Sequence, residues 1–169
     1  MPRVRVTVIT GDPAGRAFCA GLDVKNVMHP LRAKANCAEL LERADGEAAN
    51  LAQAVSYLWR GVPCPVVAAV HGACFGGGLQ IALGADVRIA AEDAKLSVME
   101  AKWGLVPDMG ATAALRELKE ETGSDVGMLG DGDGSDGASI ASEVELPQKY
   151  IVCTTDGERQ AHSTLLSRL

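Results

Sequence analysis

Two glycine-bearing loops carry the strongest chemical potential in this chain. The first reads Phe18-Cys19-Ala20-Gly21-Leu22-Asp23 and the second Cys74-Phe75-Gly76-Gly77-Gly78-Leu79. Each follows an apolar, strand-like run and precedes a helical pattern. Backbone at such a place leaves N–H groups without intrahelical partners, at the positive end of a helix dipole. Two such groups aimed at one point would stabilise an oxyanion. Glycine suits the task because no side chain blocks an incoming carbonyl. A glycine cluster taken alone is more often a turn, so the loops need support from the rest of the chain.

Other chemistries are disfavoured by residue order. HGACFGGG is not GxGxxG, and no acidic residue follows at the distance a dinucleotide site requires. The chain has no GKS or GKT for a P-loop and no GxSxG for a serine-hydrolase elbow. Asp131, Asp133 and Ser135 partly match a calcium loop. However, Asp136 stands where that loop needs Gly, and Ser142 where it needs Glu. The five cysteines (Cys19, Cys37, Cys64, Cys74, Cys153) are odd in number and lack CxxC spacing, which reads as unpaired thiols in a reducing compartment. His29, His71 and His162 are too scattered to suggest a metal site, and His71 reads as structural. A net charge of −6 disfavours nucleic acid as the main partner. No apolar run reaches the length of a membrane span.

The elements that must position the loops follow from composition and periodicity. A chain of 169 residues suffices for one domain with a core. With 47% hydrophobic but only 4% aromatic residues, that core must be Ala, Val, Leu and Ile. Residues 4–10 are β-branched and end in Gly11-Asp12-Pro13, a strand followed by a turn, and a loop is expected from there to Gly21. Leu40, Leu41, Ala44, Ala48, Leu51, Val55 and Leu58 recur at helical spacing, predicting an amphipathic helix over residues 36–59 that Pro63 and Pro65 end. Residues 66–70 read as a strand buried on both faces, and 72–78 as a glycine-rich turn. A short helix over 79–83, strands over 87–91 and 96–98, and a helix over 110–118 follow. This alternation predicts an α/β layered fold with mainly parallel pairing. After Glu121 the composition becomes Gly- and Asp-rich, so the chain divides into a core over 1–121, a flexible linker over 122–146 and a C-terminal tail over 147–169. One isolated strand is expected within 147–155.

The phrases AFCAGLDV, PVVAAVHGACFGGGLQIALGADVRIAAEDAKLSV and MEAKWGLVPDMG closely resemble the enoyl-CoA hydratase/isomerase (crotonase) family. The resemblance covers residues 4–118 and implies part of a crotonase-like ββα spiral, with an unmatched tail. It also implies that the backbone N–H groups of Leu22 and Gly77 hold a thioester oxygen on which an enolate develops. Each such donor is typically worth ~3 kcal/mol. By the same resemblance Ala20, Leu22, Asp23, Val24 and Lys25 run along CoA, and Lys25 with Arg16 meets its phosphates. Solvated loop charge is the ordinary alternative for those two cations.

Hydratases of the family resemble one another in using two glutamates. The second matches Glu100 here, but the first matches Gln80, which can orient a water and cannot accept a proton. Asp108 matches a catalytic aspartate of the dienoyl-CoA isomerase branch, so Glu100 and Asp108 together favour proton shuttling; its plainer reading is a turn residue after Pro107. Trp103 and Phe75 are candidates to line an acyl pocket, or plain core. The expected function is therefore double-bond isomerisation of an enoyl-CoA, favoured over hydration. The alternatives are an acyl-CoA-binding relative without turnover and a truncated fragment. No cofactor is expected, because the CoA thioester is substrate. Family members usually begin earlier and extend further, with helices that build a trimer or hexamer, so the present chain is expected to be a partial spiral. The ending Ser167-Arg168-Leu169 is close to the peroxisomal Ser-Lys-Leu address, with a cytoplasmic location as the alternative.

Overall fold

The computed structural model describes residues 4–23, 40, 42–122, 128–129, 143–144 and 151–154, with backbone only for 121–122 and the strands beyond them. Two sheets alternate along the chain. β1 (Thr7–Thr10), β3 (Val66–Val70), β5 (Val87–Ala91) and β9 (Ile151–Thr154) form one sheet, in the order β1-β3-β5-β9 and parallel throughout. β2 (Ala17–Cys19), β4 (Ala73–Phe75), β6 (Lys95–Ser97), β7 (Met128–Leu129) and β8 (Glu143–Val144) form the other, in the order β2-β4-β6-β8-β7. Its first three strands are parallel, and β8 and β7 join antiparallel. Through β6 each turn of the chain lays one strand in each sheet, as in a ββα spiral, whereas β7 and β8 both join the second sheet.

β3 is the central strand its sequence predicts. Val66, Val67, Ala68 and Val70 are all buried, with both neighbouring places in the sheet filled. α2 (Gly77–Leu83) contributes Leu79, Ala82 and Leu83 to the same core. α3 (Ala111–Thr122) adds Ala111, Ala114 and Leu118. The core is mostly small aliphatic residues, as the composition requires. Burying Leu79 to 1% exposure contributes about 2 kcal/mol. The far end of α2 is held by Arg88, whose Nη1 donates to the carbonyls of Ala85 at 2.5 Å and Leu83 at 3.3 Å. A cation at a helix C-terminus satisfies carbonyls that the helix itself leaves open.

The helix expected over residues 36–59 is shorter where it is described. Residues 42–50 form turns and coil, and α1 spans Leu51–Tyr57, continuing as a 3-10 turn over Leu58–Gly61. The start is set by a capping box. Asn50 Oδ1 accepts from Gln53 N at 2.9 Å, and Gln53 Oε1 accepts from Asn50 N at 3.2 Å. The apolar positions that suggested the helix, Leu51, Val55 and Leu58, face outward, while polar Ser56 is buried. β2 and β4 lie in stretches expected to be loop and turn. The strand expected within 147–155 exists but is not isolated, since β9 pairs with β5. Residues 122–146, expected as a linker, contribute β7 and β8.

Candidate active site

The two glycine loops meet. Gly21, with φ +96°, follows β2 in the first loop, and a Cβ placed on it would stand 2.9 Å from the Phe75 carbonyl oxygen and 3.7 Å from Gly77 N. A Cβ on Gly78 would stand 2.3 Å from the Cys19 carbonyl oxygen, a distance real Cβ atoms do not occupy. Only glycine lets the two backbones approach this closely. Leu22 therefore follows directly on a residue packed beside Gly77, and its side chain is 60% exposed. Gly77 is the first residue of α2, so its N–H has no intrahelical acceptor.

Glu100 reaches the same place from another direction. It sits on a 3-10 turn over Met99–Trp103, after β6. Its carboxylate lies over Gly76, with Oε1 3.2 Å from where a Cβ on that glycine would be. Gln80, 3% exposed on α2, donates from Nε2 to Glu100 Oε1 at 2.8 Å. Its own Oε1 accepts from the backbone N–H of Ala111 at 3.1 Å. The amide is thus fixed at both ends, donor toward Glu100 and acceptor toward the start of α3. Glu100 Oε2 is buried with no hydrogen-bond partner.

Asp108 stands apart from this pair. Its side chain is exposed, and among the described residues no hydrogen bond or ion pair joins it to Glu100. Its neighbour Met109 does reach the loops, with Sδ 3.1 Å from the Cβ position of Gly77. Ala20, Leu22 and Asp23 are exposed on the first loop. Arg16 is exposed at the opposite end of β2, four residues from Ala20, roughly 13 Å along an extended strand. Val24 and Lys25 lie outside the described residues. Phe75 is half-buried, whereas Trp103 is 66% exposed, together with Leu105 and Val106 on the stretch between Glu100 and Asp108.

Among the described residues the remaining reactive groups offer no rival centre. Burial, with a smaller contribution from nearby Cys19, pushes the Cys74 thiol up to about 12, so it is not a thiolate at neutral pH. Among the described residues no cluster of His, Cys, Asp and Glu could hold a metal. A cavity of about 200 Å³ opens at the other end of α2, lined in part by Arg60, Asp86, Arg88 and Glu117. Its charges are engaged within the chain: Arg60 pairs with Glu117 at 2.7 Å, and Asp86 accepts from Val66 N at 2.8 Å. Sequence reasoning missed three contributors: Gln53, Ser56 and Met109. The Asn50-to-Gln53 capping spacing was readable, but the partners those side chains find around residue 109 depend on the fold.

Comparison with known proteins agrees with the fold. A family model described as enoyl-CoA hydratase/isomerase matches residues 1–131. A protein of Bacillus subtilis (strain 168) named "probable enoyl-CoA hydratase" is 38% identical over 112 residues, covering 66% of this chain and 39% of that protein. The human mitochondrial methylglutaconyl-CoA hydratase is 35% identical over 113 residues, covering 67% of this chain and 30% of that protein. The chain spans about two-fifths or less of the length of these curated relatives. The crystal structure of an enoyl-CoA hydratase from Bacillus anthracis superposes with a TM-score of 0.63 at 22% identity, covering 97% of this chain and 57% of that one. At that identity the likeness speaks to fold.

Proposed function

We propose, on the premise that this chain belongs to the enoyl-CoA hydratase/isomerase family, that it binds an enoyl-CoA thioester and shifts its double bond through an enolate. The thioester oxygen accepts from the backbone N–H groups of Leu22 and Gly77. Negative charge grows on that oxygen as a proton leaves the acyl chain, so both bonds strengthen toward the transition state. The Glu100 carboxylate takes the proton from C2 of a 3-enoyl thioester. The electron pair moves through the former double bond, and the same carboxylate returns the proton to C4. The product is the 2-enoyl isomer, with no atom gained or lost. Asp108 is the second acid for a dienoyl substrate, where the proton travels further along the chain. Ala20, Leu22 and Asp23, with Val24, Lys25 and Arg16, are the proposed CoA contacts, and Ser167-Arg168-Leu169 is the proposed peroxisomal address.

The observation that carries isomerisation over hydration is the Gln80 amide. Both of its ends are engaged, by Glu100 and by Ala111 N–H. It holds the one carboxylate in place and cannot take a proton from water. A single fixed base suffices for a proton shift between two carbons. The test is turnover of 3-enoyl-, 3,5-dienoyl- and 2-enoyl-CoA by the wild type and Glu100→Gln. Loss of a general base costs about 10²- to 10⁴-fold. The expected result is isomerase turnover exceeding hydration and falling by that factor in the variant; equal rates in the two proteins would remove Glu100 from the mechanism. A second reading, acyl-CoA binding without turnover, draws on the exposed Asp108 side chain, which among the described residues no hydrogen bond joins to Glu100. It requires calorimetric binding of an acyl-CoA with every enoyl substrate left unchanged.

A further inference from the structure

Two side chains of α1 hold the loop that carries Asp108. Gln53 Nε2 donates to the Asp108 carbonyl at 3.2 Å. The Ser56 hydroxyl, buried to 3% exposure, donates to the Met109 carbonyl. The space around this second tether is tight: a Cβ on Gly110 would stand 3.3 Å from Ser56 Oγ, and one on Gly84 would stand 2.0 Å from the Ser56 carbonyl oxygen. The tethered loop in turn touches the site twice. Met109 Sδ packs against Gly77, and the next residue after Gly110 supplies the N–H that holds Gln80. The position of this loop therefore sets both a wall beside Gly77 and the orientation of the amide that holds Glu100.

We propose that Gln53 and Ser56 are positioning residues for turnover, fixing Asp108 and Met109 relative to Glu100 and Gly77; this rests on the isomerase reading above. The side-chain oxygen of Gln53 is occupied by Asn50 N at 3.2 Å, which leaves its NH₂ as the end that serves Asp108. The cap and the tether can therefore be separated chemically. A glutamate at position 53 still accepts from the Asn50 N–H, as capping boxes do. It has no proton for the Asp108 carbonyl and sets two acceptors face to face. Gln53→Glu removes the tether and spares the helix cap.

The experiment uses the full chain in wild type and Gln53→Glu form, with methionine methyl groups labelled for NMR. Isomerisation of a 3-enoyl-CoA is followed in parallel. Displacements on the order of 1 Å in a site can cost up to about 100-fold. The expected result is a roughly tenfold or greater fall in kcat with KM held within about twofold, an unchanged melting temperature and a shifted Met109 methyl resonance. An unchanged kcat overturns the positioning role, and an unmoved Met109 resonance overturns the tether itself. A wild type inert toward every enoyl-CoA would instead overturn the isomerase reading, while the methyl signal still decides the tether. Should Gln53→Glu fold poorly, Ser56→Ala removes the neighbouring tether and is read in the same way.

Discussion

Replacing Gln80 with glutamate tests the logic of the site most directly. The new carboxylate would face Glu100 Oε1 across the present 2.8 Å donor–acceptor distance. Two carboxylate charges centred about 4 Å apart repel by about 4 kcal/mol at an effective dielectric of 20. At 1.36 kcal/mol per unit, that raises the upper pKa of the pair by roughly 3 units. The carboxyls then share a proton at neutral pH, as close acid pairs do. Because the folded pair binds a proton more tightly than its unfolded counterpart, the native state holds more protons above about pH 4.3. Stability therefore falls as pH rises from about 4.3 toward about 7, by up to about 4 kcal/mol, and levels off above the raised pKa. Water entering beside the half-buried Glu100 would lower that ceiling. The same shared proton supplies an acid beside a base, so hydration of a 2-enoyl-CoA should rise from the wild-type level. Thermal melts from pH 4 to 8, compared with the wild type, read the first effect; loss of enoyl absorbance reads the second. A variant whose melting temperature follows the wild type across that range would refute the contact between positions 80 and 100.

Two further predictions concern the frame around the site. Gly78→Ala puts a Cβ 2.3 Å from the Cys19 carbonyl, and the two loops must separate to admit it. A loss of about 1–3 kcal/mol in urea unfolding is expected, with weakened acyl-CoA binding; a neutral result would mean that the loops do not touch. The Arg60–Glu117 pair, at 2.7 Å, holds the Glu117 carboxyl below the usual range, chiefly through its hydrogen bond to Arg60. Stability from this pair is present above the ordinary glutamate pKa and is lost as pH falls through the lowered one. With side chains 34% and 44% exposed, solvent screening keeps it to about 1 kcal/mol or less. Glu117→Gln should therefore cost no more than that near neutrality, measured by urea unfolding, with the difference fading in acid.

What the sequence disclosed depended on how strongly each element writes its period. β3 was legible because five successive apolar residues leave no polar face. The meeting of the glycine loops was legible as motif, since only glycine allows the Cys19-to-Gly78 approach. β2 and β4 escaped notice because three residues cannot show an alternation, and both lie among small residues that also suit turns. α1 misled through its own periodicity. Leu51, Val55 and Leu58 repeat at helical spacing yet face outward, while Ser56 faces inward and donates its hydroxyl proton to the Met109 carbonyl, with the Gln53 carbonyl of its own helix also in reach at 3.0 Å. A pattern that equates polar with exposed cannot find such a residue. Glu100 and Gln80 were found by resemblance; their mutual bond, and the role of Ala111 N–H in fixing it, needed the fold.

An amide can donate on one side and accept on the other without any proton being shared. Gln80 does both, so the orientation of Glu100 does not depend on the protonation of a second acid. This arrangement spends Glu100 Oε1 on position and leaves Oε2 buried and unpartnered. An unsatisfied buried acceptor costs about 1–3 kcal/mol, and more for a charged group. That cost alone does not mark a site, because His71 Nε2 and Ser97 Oγ are also buried without partners. Oε2 differs in belonging to a carboxylate seated over Gly76, immediately before the N–H of Gly77. A thioester whose oxygen sits on that N–H would bring an acidic C–H toward the Glu100 carboxylate. A carboxylate held in this way has a fixed direction and one buried oxygen without a partner. Under the isomerase proposal, one carboxylate held in this way would serve to move a proton from C2 to C4, whereas hydration needs a water, a base and an acid assembled at one carbon.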